Sequence, residues 1–419
     1  MNGNRCRPRL VVSGDGKGVV GHAGSRALCD LAETLGLQAG LSAAMASTKQ
    51  RRRGHDRGEV LVDLAVMIAD GGTTISDLVT LSDQPDLFGP VASVATAWRT
   101  LRSVDETVLA KVAAARAEAR AVAWAAGADP GVYVVDIDAT LVGSHSEKQH
   151  AAANYKHGYG FAPVLAYLDA TGEALAGLLR PGNMPASRAA DLVSTLDLAL
   201  EQLPVDPRLK PVIVRSDSAG HSHEFIDACR DRHARFIVGA PLVEAFQSVL
   251  WDLPARRWAP AVSADGIDER DNAQVAEITD QLDLSGWPEG TRVIARREDA
   301  HPGAQLTFTD VNGRRYQTFI TDLDDSDISY LDALYRGRGR AEKRICDTKT
   351  PGFPTCPPGA SPSTPPGWPW SSSLTTCSCG SNCSAWTANW PTQNRHGSAT
   401  ASSTPQQPSP EAADAAGSA

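Results

Sequence analysis

One run of residues, VYVVDIDATLV at positions 132–142, constrains the fold of this chain more than any other segment. Its apolar residues are largely β-branched and alternate with polar ones, which is the pattern of a β-strand. The run also carries two carboxylates, those of Asp136 and Asp138. It therefore predicts a strand that brings acidic side chains into an apolar sheet.

Strands and helices follow this run in a defined order. Strand patterns recur at residues 161–168, 174–179, 212–215 and 236–238, and helical patterns lie at 186–203 and 224–232. Together with the first strand, they form the order β-β-β-α-β-α-β. This is the order of a ribonuclease H-like core, which we place at residues 130–240. In such a sheet the first and fourth strands are neighbours.

The remaining segments complete a predicted α/β fold. Apolar residues recur at helical spacing through residues 25–125, which predicts a mostly helical N-terminal region at 1–125. About 125 residues separate Asp217 from Glu342, far more than a connection needs. Strand-like runs at 293–297, 306–309 and 316–320 predict a β-rich insertion domain at 241–325. A helix at 330–349, within a core segment at 326–349, ends before Pro351.

The net charge of the chain does not exclude DNA binding. The chain of 419 residues has a net charge of -9, but an enzyme that acts on DNA needs only local basic patches. One basic run at 49–57 contains Arg51, Arg52 and Arg53. Such a run forms either a solvated connector or a DNA contact. The sequence SGDGKG at 13–18 lacks the full P-loop pattern, so a P-loop is excluded.

The first residues predict a cytosolic protein. Positions 1–10 contain no continuous apolar stretch of the kind found in secretory signals. The most apolar early run, at 60–69, is too short to span a bilayer and carries Asp63. No membrane partner is expected.

Three acidic residues stand where a metal site can form. Asp138 lies on the first strand, Asp217 follows the fourth strand, and Glu342 lies on the last helix. We expect the three carboxylates to converge on Mg²⁺, for which Mn²⁺ can substitute, since hard oxygen ligands suit such ions. Two ions about 3.5–4 Å apart can activate the attacking oxygen and stabilise the leaving one.

Each of these residues has an alternative interpretation. Asp136 can replace Asp138 as the first ligand. Asp217 can serve only to cap the next helix, and Glu342 can form only a surface ion pair with a neighbouring arginine.

The spacing around the third acid is the most specific signal. Tyr335, Arg338, Glu342 and Lys349 fit the pattern Y-x2-R-x3-E-x6-K. On one continuous helix the first three recur at i, i+3 and i+7 and share a face, and Lys349 follows seven residues later. Such a stripe can hold DNA phosphates beside metal ions.

This pattern resembles the signature around the third acid in DDE transposases of bacterial insertion sequences. Asp138-Ala139-Thr140 matches the D-x-T found at the first acid of that family. The runs VVDIDATLVGSH, GLLRPGN, VIVRSDSAGH and YRGRGRAEKRI are similar to the insertion-sequence family numbered thirteen-eighty. The resemblance covers about residues 10–349.

The resemblance implies a function and partners. An enzyme of this family cuts at transposon ends and joins the freed 3′ hydroxyl to another strand. Its partners are the terminal inverted repeats and the target DNA, which the N-terminal region at 1–125 is expected to help bind. A homodimer is expected in the synaptic complex. The expected location is the bacterial cytoplasm, and the nucleoid when DNA is bound. The rival interpretations are a ribonuclease H-like nuclease without strand transfer and an inactive DNA-binding relic.

Several further residues have open roles. His145, His157 and Tyr159 lie near the first strand and either touch DNA or have structural roles. Three tryptophans of the insertion either stack on a displaced base or pack in the core, namely Trp251, Trp258 and Trp287.

Residues 350–419 differ in composition from the rest. Proline, serine, threonine, tryptophan and cysteine dominate, and lysine is absent beyond Thr350. A zinc site at Cys377, Cys379 and Cys383 is disfavoured by the C-x-C spacing and the lack of a fourth ligand. The composition predicts disorder.

A frameshift near Thr350 explains this composition. If the third base of each codon is read with the first two of the next, the Trp, Cys and most Ser codons acquire a central U. Such codons encode apolar residues, and the result is an amphipathic helical pattern that would follow Lys349. Loss of that helix leaves an apolar face of the core exposed, and we expect this to impair the activity of the present chain.

Overall fold

The computed structural model describes residues 21–49, 54–144, 148, 150–263, 266–300, 310 and 313–349. All of them belong to one compact unit of the chain, Met1–Asn389. Several predictions lie outside the described residues, namely those for Arg51, Arg52, Arg53, His145, the strand at 306–309 and the tail at 350–419.

The described N-terminal segment is helical, as predicted for residues 25–125. Its α-helices are α1 (Arg26–Thr34), α2 (Leu37–Met45), α3 (Arg57–Ala69), α4 (Val79–Ser82), α5 (Pro85–Phe88), α6 (Val94–Arg102) and α7 (Glu106–Ala123). The carboxylate of Asp56 caps α3 by accepting hydrogen bonds from the N–H groups of Gly58 and Glu59. Such a cap satisfies donors that lack a partner within the helix. Residues such as Leu41 and Leu78 form a hydrophobic core that belongs to these helices.

Helix α7 joins this helical segment to the sheet through buried polar contacts. The guanidinium of Arg120 lies 3.3 Å from the carboxylate of Glu173 and donates to the carbonyl of Gln202 at 2.8 Å. Arg116 donates to the carbonyl of Ala174 at 2.6 Å. Because both guanidiniums are buried, each needs the acceptors that the core provides.

The strands form a large mixed sheet and a small one. They are β1 (Tyr133–Ala139), β2 (Val142–Gly143), β3 (Ala152–Ala153), β4 (Tyr159–Phe161), β5 (Val164–Leu168), β6 (Ala174–Leu178), β7 (Val212–Ser216), β8 (Arg235–Ala240), β9 (Ala259–Val262), β10 (Glu269–Glu277), β11 (Arg292–Asp299) and β12 (Arg314–Thr321). Among the described residues, nine strands form one sheet in the order β6-β5-β1-β7-β8-β12-β11-β10-β9, and three form another, β2-β4-β3.

The centre of the large sheet has the expected neighbours. Strand β1 pairs antiparallel with β5 and parallel with β7, and β7 pairs parallel with β8. The prediction that the first and fourth core strands are adjacent is therefore confirmed. Helix α8 (Ala189–Leu200) lies between β6 and β7 in the chain, α9 (His223–Asp231) lies between β7 and β8, and α10 (Glu244–Asp252) follows β8. Helices α8 and α9 contribute Leu196 and Phe225 to the main hydrophobic core.

The β-rich segment at 241–325 continues this sheet. Strand β12 pairs antiparallel with β8, so that Phe319 lies opposite Gly239. Strands β11, β10 and β9 then follow outward. The strands predicted at 293–297 and 316–320 are confirmed, and they extend the core sheet instead of forming a sheet of their own.

The prediction of one helix at 330–349 is wrong. The segment forms two helices, α11 (Ile328–Arg336) and α12 (Gly339–Lys349). Between them, the N–H of Arg338 bonds to the carbonyl of Tyr335, three residues back. In a continuous helix that N–H would bond to the carbonyl of Leu334, but the guanidinium of Arg215 donates to this carbonyl at 2.5 Å. A tertiary hydrogen bond thus replaces a helical one.

Candidate active site

Two of the predicted acids lie on adjacent strands. Ile137 of β1 is paired in parallel register with Ser216 of β7, so Asp138 and Asp217 come next to each other beyond this pair. The side chain of Asp138 is 12% exposed. Burial, and secondly the charge of Asp217, raise the pKa of Asp138 to about 6. The sheet register therefore brings two carboxylates close enough to repel each other.

Arg338 connects these acids to the third one. Its Nη1 lies 3.9 Å from Oδ2 of Asp138, and its Nη2 lies 3.1 Å from Oε1 of Glu342. Glu342 is 60% exposed, so its carboxylate can move. The structure thus brings Asp138, Asp217, Arg338 and Glu342 to one place, with the arginine between the acids.

Tyr335 reaches the same site because of a glycine. Its ring stacks on Phe319 with centroids 4.8 Å apart, and its hydroxyl lies over Gly239 of β8. A Cβ atom at Gly239 would be 2.3 Å from that hydroxyl and 3.0 Å from the backbone nitrogen of Ser218. Sequence reasoning missed Gly239. An isolated glycine within a strand such as FIVGA often marks close backbone approach, which is the signal that could have found it.

Lys349 lies at the other side of the site. Its Nζ donates to Oγ1 of Thr140 at 2.5 Å, and burial lowers the pKa of Lys349. The threonine of the D-x-T run and the last residue of the spacing pattern were predicted separately, and α12 brings them into contact.

Asp136, the alternative first ligand, is engaged elsewhere. Asp136 and Arg215 are 1% and 0% exposed, and the guanidinium donates to both carboxylate oxygens, at 2.5 and 2.9 Å. A second guanidinium, that of Arg344, lies 3.4 Å from the same carboxylate. Because a strand alternates its side chains, Asp136 shares a face with Asp138. The carboxylate of Asp136 is thus paired with two arginines, whereas that of Asp138 is largely buried, with the Arg338 guanidinium 3.9 Å away.

The buried ion pair belongs to a larger network that sequence reasoning missed. Arg215 also lies 3.0 Å from Asp169, whose carboxylate accepts from Arg340 at 2.8 Å and from Arg344 at 3.1 Å. Arg340 and Arg344 lie on α12, whereas Asp169 follows β5. The network therefore holds the helix that carries Glu342 against the two strands that carry the other acids.

Comparison with known proteins identifies the family of this chain. Over residues 3–353 the sequence matches the family described as transposase DDE domain group 1. The chain belongs to this family of DDE transposases. It is an enzyme that acts on DNA in transposition.

Two other comparisons add less. The chain is similar to a solved structure described as a piggyBac transposase synaptic complex with hairpin DNA, with a TM-score of 0.43 and 9% identity. That match covers 87% of this chain and 74% of the other. No curated protein matches this sequence.

Within the described residues of the transposase, no helix combines the length and apolar character needed to cross a membrane.

The donor set of the transposase fits a divalent cation, with one rearrangement. In the described part of the chain, no three His, Cys, Asp or Glu side chains are close enough to hold a metal ion together. The charge of Asp217 raises the pKa of Asp138 although Arg338 opposes it, which marks a place where further positive charge would be favourable. Glu342 would join them only after releasing Arg338.

The other sequence candidates have different surroundings in the transposase. Trp258 is buried, with the Arg297 guanidinium 4.1 Å from its ring centroid, as expected for a packing role. Trp287 stacks on His223 at 4.0 Å, and Trp251 is exposed. His157 and Tyr159 are also exposed, so a DNA contact at these two residues stays a prediction.

Proposed function

We propose that this chain is a transposase of insertion sequences with a ribonuclease H-like core, which cleaves DNA at the element ends and transfers the freed 3′ hydroxyl to target DNA. The observation that carries the proposal is the pair of Asp138 on β1 and Asp217 directly after the neighbouring parallel strand β7, with Arg338 of the turn before α12 between Asp138 and Glu342. Membership of the DDE transposase family supports it. So does the order of the central strands, β6-β5-β1-β7-β8.

Asp138, Asp217 and Glu342 would hold the metal, two Mg²⁺ ions or Mn²⁺ in their place. The ions would activate the attacking oxygen and stabilise the leaving oxygen of the phosphodiester. Asp136 is excluded from this set in the proposal, because both of its oxygens accept hydrogen bonds from Arg215.

Arg338 has the central role among the other residues. Its guanidinium pairs with Glu342 at 3.1 Å. A DNA phosphate would compete for this guanidinium, since guanidinium and phosphate pair favourably. Transfer of Arg338 to the phosphate would free Glu342 as a ligand, so DNA binding and assembly of the acid cluster would be coupled. Tyr335 and Lys349 would hold the strand on either side.

The expected partners follow from the reaction. Joining two element ends to a target favours a homodimer in the synaptic complex. The helical N-terminal region would recognise the terminal repeats, and Arg51, Arg52 and Arg53 would bind phosphates near it.

The test is a cleavage and strand-transfer assay on a duplex that contains the element end, with Mg²⁺. We expect Asp138→Asn and Asp217→Asn to abolish cleavage while DNA binding persists, and Asp252→Asn, an exposed acid remote from these strands in sequence, to have no effect. The assay should use both the present chain and a chain with the alternative reading frame restored after Thr350, so that a defect of the tail is seen separately.

Three results would contradict the proposal in different ways. Cleavage that survives Asp217→Asn would remove the acid assignment. Cleavage without joining in the frame-restored chain would indicate a nuclease. Binding to element ends without any cleavage in that chain would indicate a DNA-binding relic.

A further inference from the structure

A buried ion pair joins α11 to the β-rich segment, just before the turn that carries Arg338. Arg296 of β11 is 3% exposed and Asp332 of α11 is 1% exposed. Nη1 of the arginine donates to Oδ2 of the aspartate at 2.6 Å, across 36 residues of sequence. Nη2 of the same guanidinium donates to Oε2 of Glu298 at 2.8 Å. The pair therefore connects a strand of the large sheet to the helix that leads into the active site.

The apolar contact of α11 with β9 and β10 consists of small side chains. Ile328 packs on three of them, Ala261, Ala273 and Val275. Small side chains form shallow ridges, so they allow a helix to shift along the sheet with little change in packing. A charged hydrogen bond is directional, and its strength falls steeply with distance and angle. On this side of α11, the ion pair therefore fixes the position of the helix more closely than the apolar contact does.

The ion pair is costly to bury. Oδ1 of Asp332 is buried and has no hydrogen-bond partner within the described part of the chain. Burial raises the pKa of Asp332, although the charges of Arg296 and Arg336 oppose this. Apolar side chains of similar volume often give a fold the same stability as a buried ion pair, or more. A role in geometry explains the two charges better than a role in stability does.

The residues that follow Asp332 belong to the active site. Tyr335 lies three residues further along α11, on the same side of the helix. Burial raises the pKa of Tyr335, and so do the charges of Asp217 and Asp332. The N–H of Arg338 bonds to the carbonyl of Tyr335. A shift of α11 would therefore move Tyr335 and Arg338 together, relative to the acids on the central strands.

We propose that Arg296 and Asp332 are positioning residues of the transposase, whose ion pair fixes α11 on the sheet and thereby fixes the turn that carries Arg338 beside the acids. Neither residue contacts DNA in this proposal. Without the pair, α11 takes several neighbouring positions, and only some of them suit cleavage. The inference rests on the proposed function, since it assigns how that active site is held in place.

The test removes one charge or both. Asp332→Asn leaves the Arg296 guanidinium buried with one charged partner fewer, so it should lower the melting temperature. Arg296→Met combined with Asp332→Leu removes both charges, and this double variant should melt at or above the temperature of the unaltered chain. We nevertheless expect its single-turnover cleavage rate at saturating DNA to be roughly 10- to 100-fold lower, in the present and frame-restored chains alike. Kd for the element-end duplex should stay within about twofold, because many phosphate contacts share the affinity.

A second measurement does not depend on activity. Hydrogen–deuterium exchange followed by mass spectrometry reports local opening of each segment. In the double variant of the present chain, the amides of residues 335–342 should exchange at least about fivefold faster, while those of α3 exchange as before. The matched control is Arg314→Met combined with Asp299→Leu. It removes an exposed ion pair of 3.0 Å between β12 and β11, and it should change neither the exchange nor the cleavage rate.

A third variant covers the case in which the double variant does not fold. Arg296→Lys keeps the charge but lacks the planar fork that reaches both Asp332 and Glu298. It should produce the same local rise in exchange at residues 335–342.

The outcomes separate this inference from the proposed function. If the double variant melts like the unaltered chain and also cleaves and exchanges like it, the pair only stabilises the fold and the inference is wrong. Exchange that rises equally at residues 335–342 and in α3 leads to the same conclusion. If exchange rises only at residues 335–342, but neither the present nor the frame-restored chain cleaves element ends, the proposed function fails while the fixing of the turn stands.

Discussion

Gly239 shows how one missing side chain shapes the active site. It lies on β8, where a Cβ atom would collide with the hydroxyl of Tyr335 at 2.3 Å and press on the backbone nitrogen of Ser218 at 3.0 Å. Because the strand has no side chain at this point, the tyrosine hydroxyl can approach Asp217, whose charge acts on it. Gly239 has no reactive group, and it contributes to the site by leaving room for the hydroxyl of Tyr335.

We therefore expect Gly239→Ala to impair catalysis more than folding. The added methyl group, 2.3 Å from the hydroxyl of Tyr335, should displace that ring and reduce the cleavage rate roughly 10- to 100-fold, as misplacement of catalytic groups by about 1 Å does. The measurement is a single-turnover cleavage rate, with a thermal melt alongside. Gly143→Ala is the control, since a Cβ atom there meets nothing within 4 Å. Equal rates for the two variants would contradict the role given to Tyr335.

Asp169 contributes through its charge, in contrast to Gly239, which contributes by leaving room. Burial opposes its ionisation, but hydrogen bonds from Arg340 and the charges of Arg215, Arg340 and Arg344 outweigh burial. They lower the pKa of Asp169 to about 2. A carboxyl whose pKa is lower in the folded state than in the unfolded state stabilises the fold above its unfolded pKa. This stabilisation is lost as the pH falls through the folded pKa.

Asp169→Asn should accordingly lower the free energy of unfolding by about 2–3 kcal/mol at pH 7. The deficit should shrink below pH of about 4 and be lost as the pH falls through about 2, because the wild-type carboxyl is protonated below its folded pKa. Urea unfolding of both proteins between pH 7 and pH 3 measures it. Asp252→Asn, which alters an exposed acid, should show no such deficit. A deficit that does not change with pH would indicate lost packing instead.

At the scale of elements, the break between α11 and α12 determines how Tyr335, Arg338, Glu342 and Lys349 reach the site. A Cβ atom at Gly337 would be 2.4 Å from Nη1 of Arg215, whereas one at Gly339 would meet nothing within 4 Å. The buried guanidinium of Arg215 thus packs against Gly337 and donates a hydrogen bond to the carbonyl of Leu334. Gly337 therefore has a packing reason to lack a side chain, whereas Gly339 has none.

The two glycines make a matched pair of tests. Gly337→Ala should destabilise the protein by about 1–3 kcal/mol, because overpacking forces the buried network to shift. It should also reduce cleavage, since the same turn carries Arg338. Gly339→Ala should be neutral or stabilise the protein by up to about 1 kcal/mol, because alanine favours a helix. Thermal melts and cleavage rates report both effects. If both variants melt alike, Arg215 does not determine the turn.

At the scale of the whole molecule, α12 ends with little apolar surface of its own. Its buried residues are Ala341 and Ile345, and the latter packs with Leu165, Tyr167 and Ala174. The next residues of the present chain, from 350 onward, lie outside the described residues. If the codons of residues 364–383 are read in the alternative frame, we expect an amphipathic helical pattern of the kind that should follow Lys349.

Restoring that frame should raise the thermal stability and the soluble yield. Each buried Leu, Val or Ile contributes about 1.5–3 kcal/mol, so several of them matter against a typical domain stability of about 5–15 kcal/mol. A paired thermal melt and limited proteolysis of the two chains measure this. The control is truncation after Lys349. If the truncated, present and restored chains all melt together, the tail does not contribute in either frame.

Local sequence patterns predicted the order of the core strands along the chain, since periodicity reports which face of an element is buried. The ribonuclease H-like core inferred from that order predicted that β1 and β7 are neighbours, which places Asp138 and Asp217 side by side. The spacing of Tyr335, Arg338, Glu342 and Lys349 also drew attention to the right segment, although the single helix assumed for it was wrong.

Tertiary structure alone decided how that segment reaches the acids. Arg215 takes the carbonyl of Leu334, Asp169 gathers the arginines of α12, and Gly239 leaves room for Tyr335. Each of these contacts joins residues that are far apart in the chain. None of them leaves a sign in the spacing of apolar residues along the sequence, so local patterns could not predict them. A buried guanidinium takes whichever carboxylates and carbonyls the packed core brings near it, since leaving its charge unpaired would cost more than breaking one helical hydrogen bond.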